Sequence, residues 1–204
     1  MEKVGYINKG NLSLTNGLNS IDELKDVKIE YGNRDAVEER NDVVQPICAG
    51  VIITKSEQIL VINKNKKATS KISPEKDKTL LYIGGHLDIS DTSTSNLHTF
   101  ANGMKREVSE ELGIEIKDAS VGNPISTYTP VSEKSARHLG VIFPIIIEKS
   151  FDTTFTDGKC KFVEISDLKN ITNFETWSEI ILKEIVEKIH LGKTQKDEEL
   201  DDEN

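Results

Sequence analysis

The chain has 204 residues, enough for one domain with a hydrophobic core and a short extension. A net charge of −9 argues against a nucleic-acid-binding protein, because such a protein needs a basic face to neutralise phosphates. The N-terminus has no signal-peptide pattern and no apolar run approaches the ~20 residues that span a bilayer, so we expect a cytoplasmic protein without membrane contact.

Residues 1–42 are predicted to be an N-terminal extension of the main domain, because they carry little apolar periodicity and no interpretable motif. Within them we expect one short strand near the start, a brief helix capped by Asn19 or Ser20, and a strand over 27–31. The charged residues 33–42 are predicted to form a connection or an element at the edge of a sheet.

Residues 43–193 are predicted to form the main domain, in which strands rich in Val and Ile accompany two helices. The predicted strands cover 43–54, 58–63, 79–83, 119–129, 138–149 and 159–165, with a polar loop over 63–78. A helix that ends at Gly113 is predicted by an apolar stripe at three- and four-residue steps, namely Ala101, Met104, Val108 and Leu112. These elements predict an α+β sandwich in one domain.

The last helix is predicted to begin at a capping-box pair, Thr176 and Glu179. Its apolar face includes Trp177, which we therefore expect in the hydrophobic core. The acidic residues 194–204 are predicted to be a disordered, solvated tail.

The most informative stretch is residues 106–114, Arg-Glu-Val-Ser-Glu-Glu-Leu-Gly-Ile. On a helix, Glu107, Glu110 and Glu111 lie at positions i, i+3 and i+4, so their carboxylates project from one side and repel one another. Mg²⁺ would relieve this repulsion, because it takes carboxylate oxygens and shares them with substrate phosphates. A glutamate-rich helical face by itself is more often simply solvated. Its context adds weight, since a strand and the pair Gly84-Gly85 precede it and glycines let the backbone approach a ligand closely.

Together these residues resemble the signature of the Nudix hydrolases, which is Gly, five residues, Glu, seven residues, and then Arg-Glu-U-x-Glu-Glu-x-Gly-U, where U is a bulky aliphatic residue. Residues 106–114 match every specified position of the second half, and Gly85 fits the leading Gly. Two positions depart from the signature, because Asp91 replaces the first Glu and fourteen residues rather than seven separate it from Arg106. We assign the added length to an insertion over 92–105, which includes the start of the helix and whose extra length an extended loop can absorb. The role of Asp91 stays open.

The resemblance implies a Nudix-type α/β/α sandwich with a mixed β-sheet. It also implies a hydrolase that uses Mg²⁺, or Mn²⁺ in its place, to cleave a pyrophosphate bond in a nucleoside diphosphate linked to another moiety. The implied metal ligands are the Gly85 carbonyl and the carboxylates of Glu107, Glu110 and Glu111. Arg106 would orient a catalytic carboxylate, with Glu107 the first choice as the base that takes a proton from water.

Other residues have weaker assignments. Glu110 is a second catalytic candidate on the motif helix, and Glu133 is a candidate base on a later loop, although an exposed surface acid is the commoner outcome for such a residue. The candidate substrate contacts are Gly84, His86 and Arg137, with Lys134 as a further phosphate contact and His138 either structural or facing the substrate. The implied partner is a small nucleotide-like molecule, and a homodimer is compatible with the family.

Two alternatives stay open. The first is a Nudix-fold nucleotide-binding or regulatory module that cleaves weakly or not at all, which Asp91 and the insertion favour and the three helix glutamates oppose. The second is a structural α+β protein with an acidic helix, which does not explain Gly84-Gly85 and the complete second half of the motif together. The sequence does not identify the base or the sugar of a substrate.

Overall fold

The computed structural model describes residues 2–64, 77–113, 119–152 and 158–189. Most of the loop predicted over 63–78 and the whole acidic tail predicted over 194–204 lie outside the described residues, as does Ile114 of the motif. No helix within the described ranges is both long enough and apolar enough to cross a bilayer.

The described chain alternates strands with a few helices, as an α+β fold requires. The strands are β1 Lys3–Asn8, β2 Gly17–Asn19, β3 Glu30–Asn33, β4 Val43–Thr54, β5 Gln58–Lys64, β6 Thr79–Leu80, β7 Ile83–His86, β8 Ser120–Val121, β9 Ile125–Tyr128, β10 His138–Ile147 and β11 Gly158–Glu164. The helices are α1 Arg34–Glu38, α2 Asn96–Leu112 and α3 Thr176–Ile181, with a π-helical continuation of α3 over Leu182–Val186. Short 3₁₀ turns cover Lys9–Asn11, Ile21–Leu24, Ile89–Asp91, Ser135–Arg137 and Ile165–Asn170.

The sheet is mixed and is built around β4, whose twelve residues are all buried. β10 runs parallel to β4 in register from His138 opposite Gln45 to Ile147 opposite Thr54, whereas β5 and β7 pair with β4 antiparallel. A strand buried on both faces needs a nearly continuous Val and Ile run, which is why the bounds of β4 were predictable from sequence. The main path of the sheet has the order β11-β5-β4-β10-β9-β2.

Helices cover the sheet on both faces. A Cβ added at Gly50 of β4 would lie 3.2 Å from Val108 and 3.4 Å from Met104, so this face carries α2. A Cβ added at Gly140 of β10 would lie 3.2 Å from Trp177 of α3. Gly140 pairs with a β4 residue three positions before Gly50, and alternate strand residues point to opposite faces. The two helices therefore sandwich the sheet, as predicted.

The extension is part of the sheet rather than an appendage. β1 pairs antiparallel with β3 and also with the start of β4, where Ile7 lies opposite Val44. The strand predicted over 27–31 lies instead at 30–33, and residues 33–42 contain the helix α1, capped by the side chain of Asn33. Short polar helices carry too little apolar periodicity for sequence patterns to locate them.

The predicted start of α3 is wrong by one residue. The N-cap of α3 is Glu175, whose carboxylate accepts the backbone N–H of Trp177, rather than Thr176. α2 begins at Asn96, with Ser95 accepting the backbone N–H of His98, so the helix starts inside the insertion over 92–105 and occupies most of it. α2 does end at Gly113, whose φ of 66° is the left-handed conformation that glycine tolerates.

Candidate active site

A cleft of about 450 Å³ opens where β7, α2 and the N-terminal extension meet. Its lining comes from β7 and α2, from the extension, from the turn before β10, and from the start of α3. The predicted site residues that the cleft brings together are Gly84, Gly85, His86, Arg106, Glu107, Glu110 and Glu111. Its size is in the range of about 300–1,000 Å³ that small-molecule sites occupy.

The two glycines allow β7 to lie close to its neighbours. A Cβ at Gly84 would overlap the backbone of Cys48 and Ala49 on β4. A Cβ at Gly85 would overlap the carboxylate of Glu107 on α2. The backbone of Gly85 and the carboxylate of Glu107 thus meet at one point on the cleft floor, which any larger residue at position 85 would block.

Arg106 organises the acidic end of the cleft. Its Nε and Nη2 donate to the two oxygens of Asp91 at 3.0 and 3.1 Å, and Nη2 also donates to the His86 carbonyl at 2.8 Å. Its Nη1 donates to Glu107 at 2.7 Å and to Glu110 at 3.1 Å. Burial alone would lower the pKa of Arg106, but the carboxylates of Asp91 and Glu107 outweigh it and raise that pKa. The guanidinium is therefore permanently charged and fixed in orientation.

Asp91, whose role the sequence left open, is the buried counterion of Arg106. Only 4% of its side chain is exposed, and one of its oxygens also accepts the backbone N–H of Asp88 at 2.8 Å. Asp88 in turn caps the short 3₁₀ turn through Ser90, so a reciprocal capping box positions Asp91. Asp91 departs from the signature, yet it forms an ion pair with Arg106 and so links the first half of the signature to the second.

The three helix glutamates differ in their surroundings. Glu107 is 15% exposed and Glu110 60% exposed by side chain, and Glu111 also lines the cleft. Burial raises the pKa of the Glu107 carboxyl above its ordinary value, although Arg106 opposes this shift. A partly buried carboxylate gains more from a nearby cation than an exposed one does, because the local dielectric constant is lower.

These residues fit a hard divalent cation by their chemistry. Three carboxylates and a backbone carbonyl are the oxygen donors that Mg²⁺ and Mn²⁺ accept, and the absent side chain of Gly85 leaves its backbone beside Glu107. Within the described part of the chain, no three acidic, histidine or cysteine side chains already stand in metal-binding positions. Glu110 is exposed, so its carboxylate is able to turn toward a cation without repacking the core.

Two histidines lie on the cleft wall beyond the glycines. The rings of His86 and His138 are 5.4 Å apart in an edge-to-face arrangement. The pKa of His86 is lowered to about 3, first by burial and then by the nearby side chains of His138, Arg34, Lys134 and Arg106. His86 is therefore a neutral imidazole at physiological pH, able to donate from one nitrogen only.

The other end of the cleft is aromatic. The Tyr82 and Trp177 rings are 5.8 Å apart, and the buried carboxylate of Glu175 accepts from the Trp177 backbone N–H at 2.8 Å and the Tyr82 hydroxyl at 3.3 Å. The indole Nε1 donates to Thr129 at 2.8 Å. Trp177 is 6% exposed, so it is a core residue as predicted and a wall of the cleft as well.

Arg137, a predicted substrate contact, lies outside the cleft lining. Its guanidinium donates to the Glu38 carbonyl at 2.6 Å and to Asn41 at 3.2 Å, so it ties the turn before β10 to the extension. Its neighbour Lys134 lines the cleft, whereas Glu133 does not.

Sequence patterns missed the contribution of the extension, from which Glu2, Arg34 and Glu38 line the cleft. The only local signal was an arginine four residues before a glutamate, which is common on solvated helices. Tyr82 and Glu175 were missed as well, since nothing in their local sequence marks them as cleft residues.

Comparisons with known proteins identify the fold. No protein-family model matches the chain, and no curated protein sequence matches it. Among solved structures, Tm1382, a provisionally assigned Nudix hydrolase, is similar over 91% of this chain and 99% of its own, with 20% identity and a TM-score of 0.68. A Nudix-family hydrolase from Clostridium perfringens is similar over 71% and 97%, with 19% identity and a TM-score of 0.50.

A third similar structure is a bifunctional NMN adenylyltransferase/ADP-ribose pyrophosphatase from Francisella tularensis, complexed with AMP and a manganese ion. The similarity covers 71% of this chain and 42% of that one, with 19% identity and a TM-score of 0.51. At 19–20% identity these likenesses establish the fold. The chain has the fold of the Nudix hydrolases, and the predicted sandwich with a mixed sheet is confirmed.

Proposed function

We propose that this protein is a Mg²⁺-dependent hydrolase that cleaves a pyrophosphate bond in a nucleoside diphosphate linked to another moiety. The observation that carries the proposal is that Gly85 lies against the carboxylate of Glu107, and that Glu110 and Glu111 line the same 450 Å³ cleft. The Nudix fold of the chain supports the general chemistry, and fold alone does not determine a substrate. The similar structure from F. tularensis is a complex with a nucleotide, AMP, and a divalent cation, manganese.

Gly85, Glu107, Glu110 and Glu111 would hold the cation. A bound Mg²⁺ or Mn²⁺ supplies charge neutralisation for the diphosphate and lowers the pKa of a water molecule so that it attacks phosphorus at neutral pH.

The chain's own residues orient the reaction. Arg106, fixed by Asp91, holds Glu107 at 2.7 Å and so restricts where its carboxylate points. Glu107 is our first choice as the base that takes the proton of the attacking water, because its carboxylate lies on the cleft floor in an orientation fixed by Arg106. Tyr82 and Trp177 supply an apolar wall at the far end, where the base or sugar of a nucleotide would lie.

A nucleotide-binding module without turnover is the second candidate. One observation favours it, because Arg106 pairs with both Glu107 and Glu110 and these ion pairs compete with a cation for the same carboxylates. In an enzyme, cation binding must outweigh these contacts.

The test is hydrolysis of a panel of nucleoside-diphosphate compounds with Mg²⁺ or with EDTA, read as phosphate released after a phosphatase step. The variants are Glu110→Gln and Glu111→Gln, with Glu187→Gln on the exposed face of the last helix as the matched control. We expect hydrolysis that requires Mg²⁺, falls at least about 100-fold in the two cleft variants, and is unchanged in the control. Nucleotide-dependent thermal stabilisation without hydrolysis would support the binding module instead.

A further inference from the structure

One wall of the cleft gathers basic side chains from three distant parts of the chain, next to Glu2 and Glu38, which both pair with Arg34. Arg34 comes from α1 in the extension, Lys134 from the turn before β10, and His138 from the first position of β10. All three lie close enough to His86 to affect its electrostatics. Arg106 is also near, but its donors are already used by Asp91, Glu107 and Glu110.

The base of this wall holds polar atoms that lack partners. Nε2 of His86 is buried and has no hydrogen-bond partner among the described residues. Gln45 is fully buried, and neither polar atom of its side chain has a partner in the described part of the chain. Gln45 is the register partner of His138 and shares a face of β4 with Ile47, which lines the cleft. Buried polar groups are nearly always satisfied in proteins, and of these two residues only His86 lines the cleft, so its Nε2 is the atom suited to a polar ligand there.

The ion pairs of Arg34 are exposed enough for another anion to replace one of its partners. Its Nε donates to Glu38 at 2.8 Å and its Nη1 donates to Glu2 at 2.9 Å, while 39% of its side chain remains exposed. Exposed ion pairs of this kind contribute little free energy. A better anion in the cleft is therefore able to replace one of the two glutamates as the partner of Arg34.

We propose that Arg34, Lys134 and His138, with Nε2 of His86 at their base, form an anion subsite distinct from the diphosphate site at Gly85 and Glu107. It binds a phosphate or carboxylate on the second moiety of the substrate. An imidazole that carries a proton on Nε2 donates to such a group, and a planar guanidinium is suited to its paired oxygens. The substrate class is then a nucleoside-diphosphate compound with an additional acidic group rather than one with a neutral sugar. This assignment of the ligand rests on the proposed function, whereas the subsite itself does not.

The subsite is tested without a metal and without turnover. The chain has a single tryptophan, Trp177, which lines the same cleft, so its fluorescence is followed while inorganic pyrophosphate is added in EDTA at constant ionic strength. The variants are Arg34→Gln and Lys134→Gln, and calorimetric titration repeats each measurement. Lys55→Gln is the matched control, because Lys55 pairs with Glu148 on the exposed surface outside the cleft lining.

We expect saturable binding in the unchanged chain, weakened about ten-fold in each cleft variant and unchanged in the control. Lys134 is exposed at a turn, so its variant tests the subsite even where loss of Arg34 disturbs the extension. Binding of pyrophosphate with equal affinity by all four proteins, or no saturable binding by any of them, would overturn the subsite.

The substrate class is tested with paired compounds that differ by one acidic group. UDP-glucuronic acid is compared with UDP-glucose for a carboxylate, and ADP-ribose 2′-phosphate with ADP-ribose for a phosphate. We expect kcat/KM to favour the more acidic member of at least one pair about ten-fold, and Arg34→Gln to remove the preference. Equal kcat/KM within both pairs overturns the assignment of the ligand. If no compound is hydrolysed, the proposed function fails, and the pyrophosphate titration still decides whether the subsite exists.

Discussion

Replacing Asp91 by asparagine removes the charge that neutralises Arg106 while keeping the size of the side chain. Asp91 is 4% exposed and Arg106 25% exposed by side chain, so the pair is shielded from water on one side and partly open on the other. Breaking a fully buried ion pair costs about 3–5 kcal/mol. Hydrogen bonds to charged groups contribute about 1.5–3 kcal/mol. The partial exposure of Arg106 and its remaining contacts with Glu107 favour the lower range, and we expect a loss of about 2–3 kcal/mol in the free energy of unfolding.

The assay is urea denaturation followed by the fluorescence of Trp177, the one tryptophan in the chain. The matched control is Asp42→Asn, because Arg40 also donates two hydrogen bonds to Asp42, at 3.0 and 2.6 Å, but that pair is exposed on the surface. Exposed pairs contribute little to stability, so the control should unfold at nearly the same urea concentration as the unchanged chain. If Asp91→Asn and Asp42→Asn destabilise the protein equally, burial does not strengthen the Asp91 pair and the reasoning is refuted.

Three further changes test other parts of the site. Gly85→Ala should lower kcat at least about 100-fold, because the added Cβ overlaps the Glu107 carboxylate. Circular dichroism should show that the variant is still folded. Wild-type activity in this variant would show that the close contact is dispensable. Trp177→Phe should lower the free energy of unfolding by about 1–2 kcal/mol, because it removes the buried hydrogen bond of 2.8 Å from the indole to Thr129. The measurement is urea denaturation followed by circular dichroism, and an unchanged free energy of unfolding would contradict a contribution from that bond. Glu38→Gln should tighten pyrophosphate binding several-fold by freeing Arg34, and weaker binding would contradict the exchange.

Local sequence determined the features that depend on spacing along one element. Glu107, Glu110 and Glu111 line one cleft because residues three and four apart share a face of any α-helix. β4 was predictable to its end residues, because a nearly continuous run of Val and Ile is typical of a strand that is buried on both faces. Gly113 ends α2 for an equally local reason, its left-handed conformation.

Other features were decided by contacts between distant residues. The first half of the motif reaches the second because the 3₁₀ turn that holds Asp91 packs against α2 beside Arg106. Arg34 enters the cleft because β1 pairs with both β3 and β4 and brings the extension against the sheet. Lys134 and Arg137 lie three residues apart in the same turn, yet only the former lines the cleft, because the latter is bonded to Glu38 and Asn41.

The sequence by itself determined the acidic helix face, the glycine pair before it and the central strand. The tertiary structure alone decided the counterion of Arg106, the wall that holds Arg34 and Lys134, and the aromatic end of the cleft. Spacing along an element determines which side chains share a face, and this information is contained in a few neighbouring residues. Which faces meet depends on strand pairing and packing summed over the whole chain, so no local pattern encodes it.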